Sequence, residues 1–177
     1  MLPTFNRFQD DHAHLLGSGS DSKGSAENGT TAGVIRVLLR AGVDPNSFES
    51  DTYWTALHLA VQNRNVESAS VLLDFGADPN MTDDEGWTPL HLAVQDGDVV
   101  AVAVLLAGGA DGESRTDKGE TPVMLGIRLG KEKVVRTLLD RGCKAGLGAG
   151  RVSAWDWLDG APVPDLENQG YGRALRP

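Results

Sequence analysis

The amino-acid sequence predicts an all-α fold: an extended solenoid of about four helix-turn-helix repeats with β-turn fingers, an irregular first repeat and a C-terminal capping half-repeat. Three observations lead there. One short signature recurs as Thr55-Ala56-Leu57-His58-Leu59-Ala60, Thr88-Pro89-Leu90-His91-Leu92-Ala93 and Thr121-Pro122-Val123-Met124-Leu125-Gly126, each copy 33 residues after the last. A leucine pair followed by glycine recurs in the same phase, as Leu72-Leu73 with Gly76, Leu105-Leu106 with Gly109 and Leu138-Leu139 with Gly142. Hydrophobic residues make up 40% of the chain but aromatic ones only 6%, so aliphatic side chains must build the core. A fixed period in this range marks one supersecondary unit repeated along the chain. Such units bury their apolar faces against each other and present a surface rather than a cavity.

The first repeat is irregular. Val34 to Asn46 matches the end of the next unit, with Gly42 standing 34 residues before Gly76, which sets a second helix there. Counting back one period reaches Asp21-Ser22-Lys23-Gly24-Ser25-Ala26, a poor helix. His12-Ala13-His14-Leu15-Leu16 fits a first helix better, at the cost of a ten-residue insertion. Gly17 to Ser25 has the Gly/Ser composition of such an insert. The competing reading of residues 1–30 is a disordered N-terminal arm.

In the regular repeats Thr88 has the chemistry of an N-cap, and Pro89 suits the first helical position, where its missing N–H is harmless. Leu90, Leu92 and Ala93 form the packed side of a short first helix, and Ala60 and Ala93 let neighbouring helices approach closely. Gly97-Asp98 and Asn63 to Asn65 make the turns into second helices expected over residues 66–73, 99–106 and 132–139. Glycine then ends each helix in a left-handed conformation. Ser153-Ala154-Trp155-Asp156-Trp157-Leu158 repeats the first-helix pattern, but Pro162 and Pro164 forbid a second helix. The expected division is therefore residues 1–30 as an irregular N-terminal segment, 31–160 as the repeat domain and 161–177 as a C-terminal tail.

The motif at the heart of each unit resembles that of ankyrin repeats, Thr-Pro-Leu-His-x-Ala. The resemblance covers about residues 31–160, or 10–160 if the first helix is included. It implies hairpin fingers that project beside the first helices and form a concave binding face. It also implies that His58 and His91 bond the neighbouring threonine and backbone, bracing the turn into the helix.

Charge and composition narrow the function. A net charge of −9 argues against nucleic acid, since phosphate binding needs clustered Lys and Arg. The single cysteine, Cys143, leaves no internal disulfide and fits a reducing compartment. Met1 to Phe8 has no uninterrupted apolar run and no stretch is long enough to span a bilayer, so a cytoplasmic or nuclear monomer without a classical secretion signal is expected.

No catalytic, cofactor or metal residues are expected. His58 and His91 recur on successive helices without the three or four converging ligands that zinc needs. Cys143 takes the alanine place of the Gly-Ala-Asp turn and has no histidine partner in sequence. Gly146-x-Gly148-x-Gly150 lacks the Gly-Lys-Ser/Thr ending of a phosphate loop.

Alignment on the repeat threonine lays out the finger face. The residue before it is Trp54, Trp87 and Glu120. The tips carry Asp51 with Thr52, Asp84 with Glu85, and Asp117 with Lys118. The first helices add Gln62, Gln95 and Arg128, and Tyr53 replaces the glycine of the other fingers. Trp54 and Trp87 should lie side by side, on fingers whose acidic residues contrast with the balanced third. Asp51, Tyr53, Trp54, Gln62, Asp84, Glu85, Trp87, Gln95, Lys118 and Glu120 are therefore the expected protein-binding residues. Tryptophan is the residue most enriched at interaction hot spots, and a basic or mixed basic-apolar partner surface would complement this face. The function expected is a non-catalytic protein–protein interaction module, an adaptor or inhibitor. The alternatives are a scaffolding subunit of a larger complex or a translocated effector that binds a host protein.

Overall fold

The computed structural model describes residues 30–144. The candidate first helix at His12–Leu16, the Gly/Ser insert, the glycine run from Gly146 and the capping helix near Trp155 lie outside these residues, as does the tail 161–177. Within them seven α-helices follow in order: α1 (Thr31–Arg40), α2 (Ala56–Gln62), α3 (Val66–Asp74), α4 (Pro89–Asp96), α5 (Val99–Ala107), α6 (Pro122–Arg128) and α7 (Glu132–Asp140). The second helices α3, α5 and α7 run one residue beyond the leucine pair, because the backbone stays helical until the turn that precedes glycine.

Most of these helices begin where the first turn finds a side-chain acceptor; α7, which follows Lys131, has none. Thr30 Oγ1 accepts from Gly33 N at 3.1 Å, Asn65 Oδ1 from Ser68 N at 3.0 Å, and Asp98 Oδ1 from the amides of Val100 and Ala101. These bonds satisfy donors that a helix N-terminus leaves open. Helices end in left-handed glycines: Gly42, Gly76, Gly109 and Gly142 have φ between +86° and +93°, a region glycine enters without the steric cost of a Cβ.

First helices pack on their own second helix and on the next first helix, while second helices pack on one another, giving two parallel layers. The core runs between them through Leu57, Leu72, Leu90, Leu105, Leu125, Ile127 and Leu138, all fully buried. Ala60 and Ala93 are buried where the layers meet. In α6 glycine takes that place, since a Cβ on Gly126 would lie 2.8 Å from Val135 Cγ2.

Asparagine side chains stitch the loops of successive repeats. Asn46 donates to the Gly76 carbonyl and accepts from Asp78 N at 2.7 Å; Asn80 repeats both bonds with Gly109 and Asp111. In the last repeat Glu113 holds this place and its carboxylate accepts from Lys144 N. Here Cys143 stands in for alanine, and Gly112 stands where the earlier repeats have Pro45 and Pro79. A Cβ on Gly112 would fall 2.3 Å from Cys143 Sγ, so the larger thiol is accommodated by the smaller neighbour.

Candidate functional site

The fingers are the hairpins that precede each first helix. Finger one is closed by Glu49 N donating to Trp54 O, finger two by Asp83 N to Trp87 O, and finger three by Thr116 N to Glu120 O. Adjacent fingers are tied by Asp84 N to Thr52 O at 3.3 Å and Asp117 N to Glu85 O at 3.1 Å. Asp83 rigidifies finger two, accepting from the amides of Glu85 and Trp87 at 3.0 and 2.7 Å.

Histidines anchor the fingers to the helices. His58 Nδ1 accepts from the Thr55 amide at 3.2 Å and faces the Thr55 hydroxyl at 2.9 Å, so Nε2 carries the hydrogen and donates to the Trp87 carbonyl at 3.2 Å. His91 does the same with Thr88 and the Glu120 carbonyl. Each ring thus locks its own helix start to the next finger, the structural role that the repeat resemblance implied.

Burial pushes both imidazoles below the ordinary histidine range and outweighs the carbonyl contacts, which act the other way. As pH falls through about 6.5, the unfolded chain takes up protons before the folded one does. The stability tied to these neutral rings is therefore complete above that pH and is lost below it. Urea midpoints should hold steady from pH 8 to 7 and fall between pH 6.5 and 5, with up to about two protons bound on unfolding. A His58→Gln/His91→Gln variant should show a shallower slope over that range, measured against its own value at pH 8.

Between fingers one and two lies a groove of about 380 Å³ lined by Thr52, Trp54, Gln62, Asp83, Asp84, Glu85, Trp87, Leu92, Gln95 and Asp96. Six of the expected contact residues meet here: Trp54, Gln62, Asp84, Glu85, Trp87 and Gln95. Both indoles are half-buried, packed on the core and on the anchoring histidines, with ring centroids 6.1 Å from His58 and 6.0 Å from His91. They form rigid walls rather than free flaps. Asp96 is partly neutralised by Arg64, 3.7 Å away, whereas no ion pair engages Asp84 or Glu85 among the described residues. The groove is thus aromatic on its walls and anionic at its rim.

The other expected residues lie apart from it. Asp51 and Lys118 are exposed at the tips of fingers one and three, and Tyr53 is exposed beside Phe48. Glu120 sits where the other repeats have tryptophan, but it is buried and its carboxylate makes a two-pronged bond to Arg128, at 2.6 and 3.0 Å. It offers no free charge to a partner. The pairs Trp54/Gln62, Trp87/Gln95 and Glu120/Arg128 are equivalent positions on the concave face, so the aromatic groove gives way to an ion pair in the last repeat.

Arg128→Ala would leave that carboxylate, 11% exposed, without its partner. We expect a loss of about 2 kcal/mol in urea unfolding, less than for a fully buried pair because the arginine is partly solvated. Glu120→Trp with Arg128→Gln, which installs the pair of the preceding repeats, should recover most of it.

Thr52, Asp83, Leu92 and Asp96 complete the groove and were not among the expected contacts. Their signal is present in the repeat alignment, since Asp83 opens the finger-two turn and Asp96 follows Gln95. No group of three metal-ligating side chains occurs among the described residues, and none of their helices is long and apolar enough to cross a membrane.

Residues 24–116 and 69–148 match the family model described as Ankyrin repeats (3 copies). The chain is also 40% identical over 76 residues to the neurogenic locus Notch protein of Drosophila melanogaster, covering 42% of this chain and 3% of that protein. It is 47% identical over 49 residues to the 2-5A-dependent ribonuclease of Mus musculus, covering 27% of this chain and 7% of the ribonuclease. The chain thus spans less than a tenth of the length of either relative.

Proposed function

Because the chain belongs to the ankyrin-repeat family, whose members are generally non-catalytic modules for protein–protein interaction, we propose that it is an adaptor or inhibitor that holds a protein partner on its concave finger face. The observation that carries this reading is the groove walled by Trp54 and Trp87 and rimmed by Asp84 and Glu85. Rigid indoles bury large area at low entropic cost, and a cation lying on an indole face gains further from flanking carboxylates. The partner surface that fits is basic, or mixed basic and apolar. Steering by the acidic face would make association sensitive to salt.

The test is a pull-down that compares the wild-type chain with Trp54→Ala/Trp87→Ala and identifies both eluates by mass spectrometry. A protein retained by the wild type and lost by the variant supports the face; identical eluates overturn it.

One observation favours docking into a larger complex as a second reading. Along the outer layer α5 carries Val100, Ala103 and Ala107 where α3 has Glu67, Ser70 and Asp74 and α7 has Lys133, Arg136 and Asp140. Val100 is 59% exposed. Val100→Glu with Ala103→Arg would abolish assembly on this reading and leave it intact if the finger face alone binds.

A further inference from the structure

Finger one differs from its neighbours in a way the fold does not require. One residue more separates Asn46 from Trp54 than separates Asn80 from Trp87. Its hairpin carries Phe48 and Tyr53, bonded into the turn through Tyr53 N to Glu49 O at 2.8 Å. The equivalent places hold Thr82 and Gly86 in finger two, and Arg115 and Gly119 in finger three. Phe48 and Tyr53 stack with centroids 5.4 Å apart and planes 19° from parallel, yet they remain 50% and 49% exposed.

Tyr53 also occupies the left-handed region at φ +58°, where Gly86 and Gly119 both have φ +77°. A bulky residue held there is strained, because its Cβ crowds the backbone. Two aromatic rings are therefore kept in water, one of them at a conformational cost, next to the residue that walls the acidic groove. Thr52 and Trp54, which flank Tyr53 in the chain, both line that groove, so the platform stands on the same finger, one residue from the groove lining.

We propose that the Phe48–Tyr53 platform is a second subsite of the finger face, which takes an aromatic side chain of the same partner segment whose basic side chain enters the Trp54/Trp87 groove. This rests on the groove reading above and adds a composition: an extended segment with one basic and one aromatic residue at a fixed separation. The stacked pair offers a ring face and edges to a third ring, the arrangement aromatic clusters favour. The exposed carboxylates of Asp51, Asp84 and Glu85 on these two fingers favour a segment without acidic residues between its two anchors.

The test uses the full chain and a phage-displayed library of linear dodecapeptides as the probe. Selected peptides should share a basic and an aromatic residue at one spacing. Phe48→Thr/Tyr53→Gly gives finger one the residues of finger two and relieves the left-handed strain, so the variant should melt as cooperatively as wild type by circular dichroism. It should bind those peptides at least tenfold more weakly, and replacing the peptide's aromatic residue with serine should cost the wild type the same factor and the variant nothing. Peptides that bind both proteins equally but are lost by Trp54→Ala/Trp87→Ala would overturn the platform and leave the groove standing. Loss confined to the platform variant would overturn the groove reading and with it the shared segment. A library that yields no binder counts against both.

Discussion

Replacing both Trp54 and Trp87 with alanine is expected to weaken partner binding by about 4 kcal/mol, roughly a thousandfold, since truncating a buried interface tryptophan costs about 2 kcal/mol or more. The fold should survive the change, as the hydrogen bonding indicates. The groups of these residues that tie finger to helix are main-chain atoms: the Trp87 carbonyl accepts from His58, and the Trp87 amide donates to Asp83. Alanine keeps both. What the array loses is the half-buried indoles' packing on the core together with ring contact to His58 and His91, the latter about 0.5–1.5 kcal/mol for each aromatic pair beyond the area buried. Stability should therefore fall as well, but by less than binding, and titration of the captured partner beside urea unfolding of the same variant reads both. Equal losses in the two measurements would mark the indoles as parts of the core that happen to reach the surface. Because hot-spot truncations are rarely additive, the single variants should each show more than half of the double variant's effect if both indoles clasp one side chain.

The architecture was legible because the period and the caps speak at the same positions. Thr88 and Pro89 open α4, the leucine pair closes α5, and the glycine that follows takes the left-handed turn, so helix ends fall within a residue of expectation. The groove was legible in part for the same reason: Trp54 and Trp87 share a repeat position, and a repeat position is a place in space. What the sequence hid are contacts that break the repeat. Glu120 reads as one charge among Arg115, Asp117 and Lys118 on finger three, yet its carboxylate reaches back to Arg128 on α6. The extra residue in finger one shifts Phe48 out of phase with Thr82, which conceals that it faces Tyr53. Likewise Gly112 looks like a lost proline until Cys143 is seen to fill the space.

The stability of the array should be set by its middle. Leu105 is fully buried in α5, which packs on α4, α3 and α7, and Leu105→Ala is expected to cost about 3–5 kcal/mol through the cavity it leaves. The site cannot easily collapse to fill that space, because the layers meet through Ala93 and Ala101, which have no rotamers to swing inward. In a linear stack each unit holds its neighbours through two interfaces, so damage at the centre weakens both. Leu39→Ala, at a residue 8% exposed where Leu105 is fully buried, should cost less. Urea unfolding of the two variants separates the cases. If the stack is cooperative, Leu105→Ala lowers the midpoint with an unchanged slope; if its coupling is weak, the transition splits, and residues on the α1–α3 side unfold apart from α6 and α7. The same coupling bears on function, since the groove is built from fingers one and two and is held to the stack by His58 and His91. A cavity at Leu105 should therefore loosen the Trp87 wall before the Trp54 wall, and indole fluorescence of single-tryptophan variants would show the two walls losing order at different urea concentrations.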